Sequence, residues 1–446
     1  MGEATAQKKK LSLISVVFMM YIFISGGAFG IEDMIGGAGP GIAFIVLLVL
    51  PFIWAYPYGL ICTELGARYT EESGFYGWIK RGLGRFAAYI AGWSMTLANF
   101  VDTAVYLVIA VGYLDAALGL NLSPTTTWLL GLVFVVVFCL LNIKGVDLLA
   151  FSSTVTAIMI LAPFTLLVLF SIPQMHFNPL QPIFASADAG LPGALGDINT
   201  ALLVGLWMFM GYESIHSFAD EVEGAGPLIS KAFMWAVPLA AIMYLLPTFF
   251  ALAVTGNWQD WSTEGPLSFV EVGAAVGGNF LMVLFLIAGF VGNLGTFSSY
   301  LGFGARVTSD MAEDGLFFKG FDKVGKNGTP YVAIIAASII TGILSYGSFS
   351  DLIVIDVILL LIPVILIFIS GVVLRFKDTT EVPEGAFRLP ISNGAFALLT
   401  LLPTAIAVYA IVTTEFVSLI AGGICILLGV IMYFVFPKIN KKGIAE

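Results

Sequence analysis

The sequence predicts an all-α polytopic membrane protein of about twelve spanning helices. Three observations predict it: composition, the length of the apolar runs, and the placement of the basic residues. Of 446 residues, 59% are hydrophobic and only 11% charged, with a mean hydropathy of +0.99. A soluble domain carries about 25% charged residues, so this chain cannot dress its apolar surface for water. Runs such as 151–170, 232–253 and 352–373 have the roughly 20 residues needed to cross a hydrocarbon core about 30 Å thick. Backbone groups in lipid have no water to bond, which makes these segments helices.

Taken in order, the predicted spans are 11–35, 41–62, 84–114, 126–143, 150–171, 192–218, 231–255, 274–309, 329–347, 351–374, 393–412 and 416–436. The polar start, 1–10, leads into a full-length span and reads as a tail, not a signal peptide. With that tail in the cytoplasm, every Lys and Arg falls on the same side: Lys8–Lys10, Arg68, Lys80, Arg81, Arg85, Lys144, Lys231, Arg306, Lys319, Lys323, Lys326, Arg375, Lys377, Arg388, Lys438, Lys441 and Lys442. The opposite loops carry Asp115, Asp188, Asp197, Asp260, Glu264, Glu271, Asp351 and Glu415. This bias predicts cytoplasmic termini. An outer surface with acids and no bases attracts cations, although positive-inside sorting alone produces the same pattern. The net charge of −10 argues against nucleic-acid binding.

Two spans look broken. The first contains Ser25-Gly26-Gly27-Ala28-Phe29-Gly30 followed by Ile31-Glu32-Asp33, and the sixth runs Gly205 to Ser214 through Trp207, Phe209, Gly211, Tyr212 and Glu213. Each glycine costs a helix about 1 kcal/mol relative to alanine. Close helix packing explains glycines in one span. A matching pair, heading two five-helix repeats and flanked by acids, points to a transporter site at mid-membrane. Freed N–H and C=O groups there bind carboxylates, ammonium groups or ions.

Several acids fall at membrane depth: Asp102 in the third span, Glu213 after the sixth-span break, Glu32 and Asp33 after the first, and Asp356 in the tenth. A carboxylate at the bilayer centre costs about 2.5–3.5 kcal/mol, and no basic residue lies deep enough in a predicted span to pair with one. Protonation, a metal ion or a cationic solute remain to neutralise them; an organic dication suits separated carboxylates. Enzyme chemistry finds little support. His176 and His216 are the two histidines, Cys62, Cys139 and Cys425 lack metal-ligand spacing and read as buried thiols, and no phosphate-binding loop occurs.

At these residues the sequence resembles the amino acid–polyamine–organocation superfamily. It is most similar to the polyamine uptake transporters of its L-type amino acid transporter branch. The resemblance rests on Ser25–Asp33, Phe52-Ile53-Trp54, Glu64-Leu65-Gly66, Asp102 with Tyr106, Gly112-Tyr113-Leu114, Trp207 through Ala219-Asp220-Glu221-Val222-Glu223, Gly315-Leu316, Gly328-Thr329-Pro330 and Phe387-Arg388-Leu389-Pro390, and covers nearly the whole chain.

The resemblance implies a LeuT-like 5+5 inverted repeat with discontinuous helices 1 and 6. The repeats would span 11–172 and 192–376, joined by an outer loop (173–191), with a cytoplasmic linker (377–392), two further helices (393–436) and a tail (437–446). Carried over by position, Ser25, Gly26, Gly27, Ala28, Gly30, Glu32, Asp102, Trp207, Tyr212 and Glu213 would meet the solute, with Trp207 and Phe209 gating it. Thr296, Ser298 and Ser299 are candidate ligands for a coupling sodium, and Glu213, Asp102 and Asp356 candidate proton carriers. Ile160 stands where some proton-coupled relatives carry a lysine. The loop 115–125 lacks the cysteine by which some relatives bind a single-span glycoprotein, so no disulfide-linked partner is expected. The expected activity is secondary active transport of a small cationic amine, such as putrescine, across the plasma membrane by alternating access. It needs no cofactor beyond a proton or sodium gradient. The alternatives are an amino-acid permease or exchanger and, in another class, a substrate-gated sensor without net transport.

Overall fold

A computed structural model describes residues 11–69, 74–144, 147–216, 225–262, 267–325, 328–347, 349–377 and 386–442. Lys8–Lys10, Glu264, Lys326 and the stretch Ala219-Asp220-Glu221-Val222-Glu223 lie outside the described residues. Among the described residues, ten helices are long and apolar enough to cross a membrane, and two shorter apolar helices, Leu13–Ile24 and Tyr331–Leu344, accompany them.

The first span is two helices, α1 (Leu13–Ile24) and α2 (Ile31–Ala38). The second runs continuously through α3 (Pro40–Leu50), a π-helical turn at Pro51–Ala55 and α4 (Tyr56–Arg68). Pro51 has no N–H to give, and Tyr56 N–H reaches back five residues to the Pro51 carbonyl, which keeps the widened turn bonded. An amphipathic helix not foreseen from sequence, α5 (Phe75–Leu83), buries Phe75, Tyr76, Trp78 and Ile79 before the long α6 (Arg85–Leu118). Then follow α7 (Pro124–Lys144), α8 (Asp147–Ser171), α9 (Gly190–Met208), α10 (Ala225–Thr255), α11 (Phe269–Glu313), α12 (Tyr331–Leu344), α13 (Phe349–Lys377), α14 (Asn393–Thr413) and α15 (Phe416–Lys442). The backbone of α11 leaves helical geometry at Gly277 and Gly278, separating a short outer segment from the span proper. Its start is a capping box: Ser268 Oγ accepts from Val270 N, and Glu271 accepts from Ser268 N at 2.9 Å. Asp197 likewise receives Ser186 N, and Asp115 receives Leu122 N. Three of the acids from the loops without bases thus hold backbone.

The packing repeats itself between the halves. Each helix meets its counterpart at α2–α9, α6–α11 and α7–α12. The α6–α13 contact of the first half is matched by α11–α8 in the second, α1–α10 by α9–α3, and α6–α7 by α11–α12. Helix α6 is central, with 78% of its most apolar window buried, against 17% for α7 and α15. Leu129, Val133, Val136 and Leu140 of α7 are exposed and form an outer, lipid-facing surface.

One buried ion pair ties the Arg-rich end of the bundle together. Arg375 of α13 donates to both oxygens of Glu64 on α4, at 2.7 and 2.5 Å, and to the carbonyls of Leu389 and Ile391. Glu64 also accepts from Leu389 N, and the guanidinium lies over the Phe396 ring. Because every charged atom finds partners, the pair is tolerated at 2% and 7% side-chain exposure. Arg375→Ala leaves the Glu64 carboxylate buried without its cation and is expected to cost about 3–5 kcal/mol. Thermal unfolding of the detergent-solubilised variant measures that loss, and an unchanged Tm would contradict it.

Candidate solute-binding site

Both broken helices open at the same depth, and what closes their loose backbone is aromatic. Tyr300 of α11 donates its hydroxyl to the Phe23 carbonyl at 2.6 Å. Tyr244 of α10 bridges the two breaks, donating to Met208 O at 2.9 Å and Ile24 O at 3.4 Å. Trp54, in the π-turn, donates Nε1 to Phe209 O at 3.1 Å. Carbonyls left over by unwinding in a medium without water must find donors, and these three rings supply them. The chain at Gly211 passes so close that a β-carbon there would stand 2.2 Å from Phe23 O, and its φ of +94° is left-handed. Only glycine fits both demands.

Beneath Trp207 lies a closed cavity of about 10 Å³, lined by Asp102, Glu213, Asn99, Tyr106 and Tyr300, with Met95, Met210, Gly211 and Leu360 completing the wall. Trp207 donates its indole N–H to Asp102 Oδ1 at 2.9 Å. Tyr58 of α4 donates to Glu213. Tyr106 lies between Trp207 and Tyr300, its ring centroid 5.7 and 5.5 Å from theirs. Among the described residues, no Lys or Arg lines the cavity. On the other side of Trp207 and Tyr106 a second cavity of about 10 Å³ is lined by Ser25, Gly26, Gly27 and Asn293. Each holds about one water, whereas solute sites measure about 300–1,000 Å³. Neither cavity has room for a solute in this conformation, so binding needs Trp207 and its neighbours to part.

On the α2 side the closure is an aromatic cluster. Phe29 sits 5.0 Å from both Tyr113 and Phe164, and Phe164 5.0 Å from Phe269. Glu32, expected beside the solute, lines neither cavity and belongs to this closure. Its Oε2 accepts from Gly30 N at 2.8 Å, and its Oε1 from Tyr113 OH and Phe269 N at 3.3 Å each. The N-terminus of α2 captures its own carboxylate and ties it to α6 and α11. At the opposite end, Lys80 and Tyr76 bond Asp314 at the end of α11, at 2.7 and 2.8 Å.

The remaining sequence candidates divide. Asp102, Glu213 and Trp207 meet at one cavity, and Ser25, Gly26 and Gly27 at the other. Ala28 is buried and spends its carbonyl on Ile31 N. Tyr212 turns away, edge-on to Tyr58 and Phe233, and the Phe209 ring packs on Tyr244 and so lines neither cavity. The three hydroxyls of α11 do not converge. Thr296 faces the first break, bonded to Gly292 O, and Ser299 bonds Gly295 O. Ser298 is turned to α7, where Asn142 donates to it at 3.0 Å. Ile160 packs against the first break, its Cγ2 2.8 Å from a β-carbon placed on Gly27. His216 lies edge-on to Trp78 of α5, 5.2 Å between centroids. Asp356 is fully buried in α13.

The model of the amino acid permease family matches residues 11–438. The chain belongs to the amino acid permease family. As a permease it is an integral membrane transporter and not an enzyme. Among curated relatives it is 29% identical to a probable polyamine transporter of Arabidopsis thaliana, over 98% of this chain and 86% of that one. It is 25% identical to the Arabidopsis thaliana polyamine transporter RMV1, over 98% of this chain and 87% of that one. To the polyamine transporter PUT1 of Oryza sativa subsp. japonica it is 28% identical, over 99% and 81%.

The residues that sequence reasoning missed in this permease are the donors: Tyr58, Tyr244, Tyr300 and Trp54, with Asn293. A signal existed, since a hydroxyl or indole N–H in a membrane span needs a partner, but nothing in sequence says which. Gly211→Ala forces a clash with Phe23 O in addition to left-handed strain and is expected to abolish both the folded peak in detergent and transport. Gly84→Ala also carries a positive φ, yet nothing lies within 4 Å of its β-carbon. Its φ of +89° with ψ of 174° is a region that glycine alone enters readily, so the change is expected to cost about 1–3 kcal/mol and keep transport. Size-exclusion profiles and thermal unfolding of the two variants make the comparison.

Proposed function

We propose that this permease carries a small organic cation with more than one amine, a polyamine or diamine such as putrescine, by alternating access across the plasma membrane. The observation that carries the reading is the cavity beneath Trp207. Two carboxylates from different repeats, Asp102 and Glu213, share it with three aromatic rings and, among the described residues, no basic side chain. Among the described residues Trp207 donates to Asp102 and Tyr58 to Glu213, and an ammonium group brings three N–H donors and no acceptor, which suits the lone pairs left over. Trp207, Tyr106 and Tyr300 add ring faces for cation–π contacts of about 0.5–2 kcal/mol. The relatives, named as polyamine transporters in two plants, favour the same cargo. The Lys and Arg distribution supports cytoplasmic termini. The driving force is a proton or sodium gradient, and imposing each in turn across the same vesicles identifies which.

Proteoliposomes test the reading with radiolabelled putrescine and spermidine beside a panel of amino acids. Saturable amine uptake with counterflow is expected. Saturable amino-acid uptake without competition by amines would replace it with the amino-acid permease reading, and amine binding without counterflow with a sensor. Asp102→Asn removes a charge-assisted contact of about 1.5–3 kcal/mol, so the KM for putrescine should rise about tenfold or more. A KM unchanged in a folded variant removes Asp102 from the site.

A further inference from the structure

Among the deep acids, partners fall off in a definite order. Glu32 has three donors, Asp102 accepts from Trp207 and Glu213 from Tyr58. Asp356 is fully buried, and among the described residues neither of its carboxylate oxygens has a hydrogen-bond partner. A buried carboxylate without donors is unfavourable in any protein interior and more so at membrane depth.

Its neighbourhood is that of the acid cavity. Asp356 lies within electrostatic reach of Asp102, Tyr106 and Tyr300. Leu360, one helical turn further along α13 and on the same face, is part of the cavity wall. Asp102 also feels Glu213, and Tyr300 feels all three acids. The acids of α6, α13 and the α9 break therefore gather around one tyrosine, with Asp102 neighbouring both of the others. Asn99, in the same wall, holds a buried Oδ1 that has no donor among the described residues either. The set is rich in acceptors and short of donors.

We propose that Asp356 is the third carboxylate of the solute site and holds a second ammonium group of the cargo. The inference rests on the amine reading above and deepens it. A monoamine satisfies the acids near Trp207 and leaves Asp356 bare. A diamine or triamine satisfies both ends, its methylenes lying along the rings of Tyr106 and Tyr300. An amino acid brings its own carboxylate into a ring of three acids and is repelled. Asp356 thereby selects for amines with two or more charges.

Wild type, Asp356→Asn and Asp356→Glu in proteoliposomes test this, with labelled putrescine uptake competed by 1,3-diaminopropane, cadaverine, spermidine and butylamine. Asp356→Asn is expected to weaken the diamines and spermidine about tenfold or more while butylamine stays within about twofold, because a single charge-assisted contact is lost only by solutes that reach it. Asp356→Glu keeps the charge on a longer stem and should keep the preference for diamines while moving the optimum towards the shorter chain. Equal weakening of butylamine and the diamines in Asp356→Asn, or an unchanged ratio between them, overturns the assignment. So does an altered pH dependence of uptake with selectivity intact, which makes Asp356 a proton carrier instead. If wild type takes up no amine, the amine reading itself falls; if wild type takes up diamines and both variants keep its selectivity, only the role of Asp356 falls.

Discussion

The structure depends on satisfying backbone that two helices leave unpaired inside the membrane. Unwinding 25–30 and 209–213 strands carbonyls where no water can reach them. Tyr300, Tyr244 and Trp54, from three separate helices, return the missing hydrogen bonds to Phe23, Ile24, Met208 and Phe209. These side chains pin the broken helices to α10, α11 and the second span. Tyr244 joins the two breaks directly, bonding Ile24 of one and Met208 of the other. Any movement that opens the site has to preserve or exchange these bonds.

Around this frame the acids differ in role according to how far they are already satisfied. Glu32, fully engaged by two backbone amides and a tyrosine, belongs to the closure over α2. Asp102, bonded by Trp207, and Glu213, bonded by Tyr58, retain capacity for a ligand beside aromatic faces. The outer-side acids Asp115, Asp197 and Glu271 cap backbone, which weakens their reading as a cation-gathering surface. Location at membrane depth is thus insufficient to mark an acid as functional. The number of donors around it discriminates better.

Much of this was legible from sequence, and for identifiable reasons. The bilayer imposes span length and excludes charge, so the helices could be read from apolar runs. Gly26, Gly27, Gly30 and Gly211 stood where helix propensity fails, and the breaks are there. Trp207, Asp102 and Glu213 share a cavity as the family resemblance implied. Glu32, Phe209, Tyr212 and Ser298 sit in the stretches that the sequence singled out but turn their side chains to other partners, and rotation about a helix axis is not written in a local motif. The capping donors escaped notice because a tyrosine within an apolar run reads as ordinary core.

The amino-acid sequence by itself determined a helical membrane class, two interrupted spans and a set of carboxylates without basic partners. Those properties follow from composition and local propensity. Only the tertiary structure decided which acids are spent on the scaffold and which stay open, because each partner lies on another helix. Trp207 and Asp102 are 105 residues apart, Tyr58 and Glu213 155, and Tyr300 and Phe23 277. Separations of that size are closed by packing, and the packing of the two repeats brings the donors and acceptors to one depth.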